Sequence, residues 1–91
     1  MSQRVVHKWY ADWCGPCKTV QPLLERLAEK FDCEIVYRNI EENTAEAKEL
    51  GIRSIPSIFL YDGDELKVSR TGIGNTTEAN LTEVFKTAYE S

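Results

Sequence analysis

Two cysteines lie three residues apart in the run Trp13-Cys14-Gly15-Pro16-Cys17, between an apolar stretch typical of a strand and an amphipathic helical pattern. At the start of a helix, positions three apart share one face, with Cβ atoms about 5–6 Å apart. A disulfide needs Cα atoms roughly 4.4–6.8 Å apart. The two sulfurs can therefore close into a disulfide or open into a dithiol with little backbone movement. This reversible step is the predicted function.

The two thiols are predicted to have different roles. Unpaired N–H groups and the positive end of the helix dipole stabilise a thiolate at a helix N-terminus, so Cys14 is the predicted nucleophile, accessible and acidic. Cys17, one turn further along and facing the sheet, is the predicted resolving thiol, which attacks a mixed disulfide on Cys14. Pro16 has no N–H to donate to the thiolate, which favours the oxidised pair and therefore a protein that gives electrons away.

Hydropathy along the chain predicts an α/β fold with the element order βαβαββα, in a single domain covering residues 1–91. The strands are predicted at Arg4–Ala11, Glu34–Ile40, Ser57–Tyr61 and Glu65–Arg70, with a hairpin turn at Asp62-Gly63 and with Leu66 and Val68 on one face. The helices are predicted after Cys14, from Asn43 or Thr44 up to Gly51, and from Asn75 or Thr76 with Glu78 in a capping box. The first two strands should be parallel and the last two antiparallel.

Composition argues against several classes of function. The formal net charge of −4, without a Lys/Arg cluster, argues against a nucleic-acid partner. No apolar run approaches the ~20 residues of a membrane span, and no signal-peptide pattern follows Met1, so we expect a cytoplasmic protein without a membrane partner. One Cys-x-x-Cys supplies two metal ligands where structural zinc needs four, so no metal is predicted, although a metal shared between two chains stays open. Cys33 is expected to be a buried apolar residue and His7 a surface position on a strand.

Four segments of the chain resemble the thioredoxin family, whose signature is the Trp-Cys-Gly-Pro-Cys run. Residues 51–57 are similar to the family segment whose proline is cis and faces the disulfide, and residues 61–65 to the hairpin that follows it. Residues 71–73 resemble the loop that completes the substrate groove. The resemblance implies a minimal thioredoxin fold, a four-stranded mixed sheet with helices on both faces. Because the chain begins close to the strand before the motif, the family's usual first strand and helix are expected to be missing.

The resemblance also implies a substrate groove and partners. The implied groove residues are Trp13, Ile40, Ile55, Pro56, Gly72 and Ile73, with the Ile55 backbone free to pair with an extended substrate. Implied partners are disulfide-containing client proteins and a thioredoxin reductase or similar electron donor, acting on a monomer without a cofactor beyond the disulfide. A glutaredoxin-like role and a redox-silent interaction module using the same groove stay open, although Gly15-Pro16 between the cysteines favours the thioredoxin role.

One departure from the family concerns the strand before the motif. Alignment on Trp13 puts Lys8 where the family carries a buried Asp, and Tyr37 where it carries a basic partner. If Lys8 points inward, burial lowers its pKa, so that it could accept the proton of the resolving thiol or, while charged, favour nearby thiolates. If it reaches solvent along its alkyl stem, water carries the proton instead. The sequence leaves both orientations open.

Overall fold

The computed structural model describes residues 3–90, and these residues follow the predicted element order. The elements are β1 (Arg4–Tyr10), α1 (Gly15–Lys30), β2 (Glu34–Asn39), α2 (Thr44–Glu49), β3 (Ser57–Asp62), β4 (Glu65–Thr71), a short 3-10 turn (Ile73–Asn75) and α3 (Glu78–Tyr89). The strand boundaries differ from the sequence predictions by a single residue at one end of each strand.

The four strands form one mixed sheet in the order β2-β1-β3-β4. Strands β1 and β2 are parallel, because α1 carries the chain back between them, whereas β3 is antiparallel to both β1 and β4. The predicted mixed sheet is therefore confirmed. Strand β1 is central, and its carboxyl end leads directly into the cysteine motif, which is where open α/β sheets commonly bind their ligands.

Helices cover both faces of the sheet, as predicted. On one face, α1 and α3 pack against β1 and β3 through the largest apolar cluster, which includes Val6, Leu24, Leu60 and Phe85. On the other face, a smaller cluster joins Trp9 of β1 to Ala47 of α2. Side chains alternate along a strand, so Val6 and Lys8 face α1 while His7 and Trp9 face α2. Strand β1 is thus covered on both sides.

The hairpin contains an irregularity that the sequence pattern did not predict. Tyr61 pairs with Leu66 and Leu60 pairs with Val68, so Lys67 is an extra residue in β4. Because this bulge shifts the register by one residue, Leu66 and Val68 lie on opposite faces of the sheet. The prediction that they share a face is wrong: Val68 packs against the main core, and Leu66 is exposed.

Helix α3 begins later than predicted, whereas α2 begins at the predicted place but without the predicted side-chain cap. Helix α3 starts at Glu78, with Thr77 as its N-cap accepting a hydrogen bond from the Asn80 N–H. Thr76 instead donates its hydroxyl to the carbonyl of Gly72, so the predicted start at residue 75 or 76 and the capping box are wrong. Asn43 is the N-cap residue of α2, but its side chain makes no capping hydrogen bond because it binds Asn39 and Arg38.

Candidate active site

The cysteine pair lies where the chain passes from β1 into α1. Cys14 and Cys17 form a disulfide, with Cα atoms 5.3 Å apart, as the spacing predicted. Cys14 is the N-cap residue of α1, and the Cys17 backbone N–H donates to the Cys14 sulfur over 3.1 Å. Pro16 occupies the first turn without an N–H of its own. The sulfur of Cys14 therefore takes the place of the side-chain oxygen that usually caps a helix.

Cys14 is more shielded than predicted, whereas Cys17 is shielded as its inward position implied. Cys14 is 4% exposed and Cys17 1%, so the expectation of an accessible Cys14 is wrong for the disulfide form. The cause is packing from other parts of the chain, because Ile40 and Ile55 lie against the cysteine cluster. In the disulfide form, little of Cys14 is therefore open to a partner.

Pro56 joins two of the segments that the sequence assigned to the groove. The Ile55–Pro56 peptide bond is cis, and the Pro56 carbonyl accepts a hydrogen bond from the Gly72 N–H at 2.9 Å. Gly72 has φ +88, and a Cβ there would lie 3.4 Å from the Ser54 hydroxyl. Glycine therefore allows the loop at residue 72 to adopt a left-handed conformation close beside the Pro56 segment.

Exposed apolar side chains surround the disulfide. Trp13 is 70% exposed and Ile73 62%. Ile73 is not grouped with Ile40 and Ile55 but lines an open apolar pocket of about 500 Å³ together with residues of α1 and of the segment before α3. The other lining residues are Pro16, Thr19, Val20, Thr76 and Thr77. Sequence reasoning missed the last four because they appear only as helix residues or candidate caps until the two segments pack together.

Lys8 points inward, which decides between the two orientations left open by the sequence. It is 2% exposed, and its Nζ donates to the Oε1 of Gln21 over 3.2 Å. The ring centroids of Tyr10 and Tyr37 lie 5.9 and 5.6 Å from Nζ, and these four residues line a cavity of about 320 Å³. Tyr37 is the register partner of Lys8 on β2. Burial lowers the pKa of Lys8, while the carboxylate of Glu25 acts in the opposite direction.

His7 lies in a different environment from the predicted surface position. Its ring is partly buried under α2, with the ring centroid 4.9 Å from that of Tyr61 and Nδ1 3.4 Å from the Arg38 guanidinium. Burial lowers the pKa of His7, and the positive charge of Arg38 acts in the same direction. Arg38 itself is paired with Glu46. The prediction of a surface histidine is therefore wrong.

Cys33 packs against the main core directly before β2, as an apolar residue would, but it is only partly buried, so the expectation of a buried residue is met in part. Its Sγ donates to the Phe31 carbonyl at 3.6 Å. Burial raises the pKa of the Cys33 thiol to about 11. Cys33 is therefore a poor nucleophile near neutral pH.

The described residues hold neither a cluster of metal-ligand side chains nor a membrane-spanning helix. In residues 3–90, no three side chains of His, Cys, Asp or Glu type are grouped so as to hold a metal ion. Within the same range, every helix is too short or too polar to cross a membrane.

Sequence comparison relates this chain to a known family. The family model described as thioredoxin matches residues 1–87. A thioredoxin of Streptomyces clavuligerus is 40% identical over 78 residues, which cover 85% of this chain and 71% of that protein. A thioredoxin of Rickettsia typhi is 34% identical over 71 residues, which cover 76% of this chain and 68% of that protein.

Comparison with solved structures agrees. A mutant thioredoxin from Halobacterium salinarum superposes with a TM-score of 0.84 at 31% identity, covering 99% of this chain and 78% of the other. The oxidised form of mitochondrial thioredoxin 3 from Saccharomyces cerevisiae gives a TM-score of 0.79 at 29% identity, covering 94% and 79%.

Proposed function

Because this chain belongs to the thioredoxin family, we propose that it reduces disulfides of client proteins with Cys14 as the nucleophile and Cys17 as the resolving thiol. The chain is a thiol–disulfide oxidoreductase of the thioredoxin type. The observation that carries the assignment of roles is the disulfide at the start of α1, where the Cys17 N–H points at the Cys14 sulfur.

The cycle consists of two exchange steps. The Cys14 thiolate attacks one sulfur of the client disulfide, so that a Cys14–client bond forms while the client S–S bond breaks and a client thiolate leaves. Cys17 then gives up its proton and attacks the Cys14 sulfur, which forms the Cys14–Cys17 bond and expels the second client sulfur. Two electrons have passed to the client, and its two thiolates take up two protons. An electron donor of the thioredoxin reductase kind then reduces the protein disulfide.

The helix start supports the first step. A thiolate at Cys14 would accept the same Cys17 N–H that contacts the sulfur in the disulfide, and a hydrogen bond to an ionised acceptor is stronger than one to a neutral acceptor. Gly15 leaves open space around the first turn, since nothing lies within 4 Å of a Cβ built there. Gly15 and Pro16 therefore shape the approach to Cys14 without adding a side chain that competes for the thiolate.

The surface around the disulfide supports docking of an extended client segment. Ile55 makes no backbone hydrogen bond with any described residue, so its N–H and C=O are free to pair with a client strand. Trp13, directly before Cys14, and Ile73, in the short turn after β4, each expose an apolar side chain. Ile40 packs against the cysteines. We assign client binding to these residues together with Pro56 and Gly72.

The chemistry of the reaction indicates the cellular compartment in which the protein acts. A dithiol that donates electrons needs a compartment in which thiols are kept reduced, so we propose that the protein acts in the cytoplasm. The two most exposed of the large apolar side chains, Trp13 and Ile73, lie beside the cysteine motif, where a client or reductase would cover them. We propose that the chain acts as a monomer.

Insulin-disulfide reduction tests this function. With dithiothreitol as the donor, the wild type should accelerate insulin precipitation, Cys14→Ser should fall to the background rate, and the control Cys33→Ala should keep wild-type activity. Cys17→Ser should accumulate a mixed disulfide between Cys14 and the client. An inert wild type, or an active Cys14→Ser variant, would refute the proposal and favour a redox-silent binding role.

A further inference from the structure

We propose that Lys8 is a positioning residue that holds a buried positive charge next to Cys17 and thereby makes the Cys14–Cys17 disulfide easier to reduce. The inference rests on the proposed function, because it concerns the redox equilibrium of the same cysteine pair. Among the described residues, Lys8 is the only charged side chain that is buried. A buried charge is costly unless something in the structure stabilises it, so its position calls for an explanation.

The contacts of Lys8 place its ammonium group close to the cysteines. Gln21, which accepts the hydrogen bond from Nζ, lies four residues after Cys17 on α1. Four residues correspond to about 6 Å of helix and return to the same face. Tyr10 makes a second link, since it packs against the cysteine cluster and its ring lies 5.9 Å from Nζ. The Lys8 ammonium is therefore linked to Cys17 through the Gln21 side chain and one turn of α1, and to the cysteine cluster through Tyr10.

Specific contacts stabilise the charged form of Lys8 against the effect of its burial. The rings of Tyr10 and Tyr37 attract a cation, and the Gln21 oxygen accepts one of its three N–H bonds. The cavity of about 320 Å³ beside these residues is open and leaves room for water at the remaining N–H bonds. Burial lowers the pKa of Lys8, but the Glu25 carboxylate opposes this change.

The other groups near Lys8 leave its charge largely uncompensated. Between residues 3 and 90, no carboxylate forms an ion pair with Lys8. Glu25 on α1 is exposed to solvent, and Tyr37 on β2 stays neutral because burial raises its pKa. On β3 the register partner of Lys8 is the apolar Ile58. The charged pair Arg38 and Glu46 lies towards α2, on the other face of the sheet.

A charge in this position affects one redox state more than the other. The disulfide is neutral, whereas the reduced pair can carry a thiolate at Cys14 or Cys17. The ammonium group therefore stabilises the reduced form, which raises the reduction potential of the couple. It also favours the thiolate of Cys17, which is the form that attacks the mixed disulfide. A unit charge roughly 10 Å away, at an effective dielectric constant of about 20, corresponds to about a tenfold change in the equilibrium constant.

The test is the redox equilibrium of the purified protein with reduced and oxidised glutathione at pH 8. Lys8→Met keeps a long unbranched side chain and removes the charge, so the reduced fraction should fall. We expect an equilibrium constant for reduction about tenfold lower than in the wild type, equivalent to about 30 mV. Lys8→Arg keeps the charge and should stay close to the wild type.

A matched control separates the buried charge from charge in general. Lys18 follows Cys17 directly in the chain, but its side chain is exposed. Lys18→Met should change the equilibrium less than twofold at low salt, and this change should disappear in 1 M salt because exposed charges are screened. The effect of Lys8→Met should persist in high salt. It should shrink at a pH above the lowered pKa of Lys8, where the wild type loses the same charge.

A second variant guards against misfolding of Lys8→Met. Gln21 is exposed, and Gln21→Glu would place a carboxylate within hydrogen-bond distance of the Lys8 ammonium. It should lower the equilibrium constant in the same direction as Lys8→Met. Unchanged equilibria in both variants, or an equal effect of Lys18→Met, would overturn the inference. A slower reaction at an unchanged potential would also overturn it and identify Lys8 as a proton acceptor instead. If the wild type does not exchange with glutathione at all, the proposed function itself fails.

Discussion

Cys33 gives a quantitative test of how burial controls thiol reactivity in this chain. Burial raises the pKa of Cys33 from 9.0 to about 11, while the nearby Arg4 charge and the Tyr89 hydroxyl oppose this shift. At pH 8 a pKa of about 11 leaves roughly one thiol in a thousand ionised, against roughly one in ten for a pKa of 9. Only the thiolate reacts, so native Cys33 should be alkylated about a hundredfold more slowly than in the unfolded chain.

The assay uses the double variant Cys14→Ser/Cys17→Ser, in which Cys33 is the one remaining cysteine of the sequence. Iodoacetamide is added in buffer and in guanidinium chloride, and mass spectrometry measures the rate of mass increase. Between pH 8 and 10 the native rate should keep rising about tenfold per pH unit, whereas the unfolded rate should level off above pH 9. Reduced wild-type protein provides the comparison, because Cys14 should be modified long before Cys33.

A native rate within about threefold of the unfolded rate would refute the reasoning, because the thiolate population would then be that of an exposed thiol. The same pKa shift has a consequence for stability. The folded state holds the Cys33 proton more tightly than the unfolded state does. This tighter binding contributes to the free energy of unfolding below pH 9, and the contribution is lost as the pH rises through about 11. In Cys33→Ala, the free energy of urea unfolding should therefore fall less steeply with rising pH, between 9 and 11, than in the wild type.

Two further predictions concern the docking surface and the core. The side chain of Trp13 is 70% exposed beside Cys14. Trp13→Ala should therefore leave the free energy of urea unfolding within about 0.5 kcal/mol of the wild type. The same variant should raise the KM for insulin several-fold. A large loss of stability at unchanged KM would show that Trp13 is a packing residue. Phe85→Ala should cost about 3–5 kcal/mol of unfolding free energy. Phe85 is 0% exposed and packs against the rings of Phe31 and Tyr89, so a cost below about 1 kcal/mol would contradict its place in the core.

The sequence predicted the order of the elements because each long element has a clear apolar period. The apolar residues of α3 recur three to four positions apart and form its buried side: Leu81, Val84, Phe85, Ala88 and Tyr89. The pattern failed where one residue of register matters. Leu66 and Val68 are two residues apart, so a regular strand would place them on one face. The extra residue Lys67 in β4 places them on opposite faces instead. The start of α3 was missed because Thr76 and Thr77 are both capable caps, and the packing of the loop at Gly72 selects between them.

The environments of Lys8 and His7 share one cause. Alternation along β1 puts these neighbouring residues on opposite faces, and in an edge strand one of the two side chains could face solvent. Strand β1 lies between β2 and β3 and has helices on both sides, so both side chains are at least partly buried. The strand order, which depends on contacts between distant segments, decides this. Sequence reasoning located the two cysteines and the start of α1, but it could not identify the side chains that cover the cysteines.

The shielding of Cys14 bears on the client docking that we propose. Cys14 is 4% exposed in the disulfide form, and Ile40 and Ile55 pack against the cysteine cluster. In the proposed complex, an extended client segment would pair with the free backbone of Ile55 while its neighbouring residues rest on Trp13 and Ile73. Such docking would exclude water from the sulfurs, and lower local polarity would strengthen the proposed influence of the Lys8 charge when Cys17 becomes a thiolate.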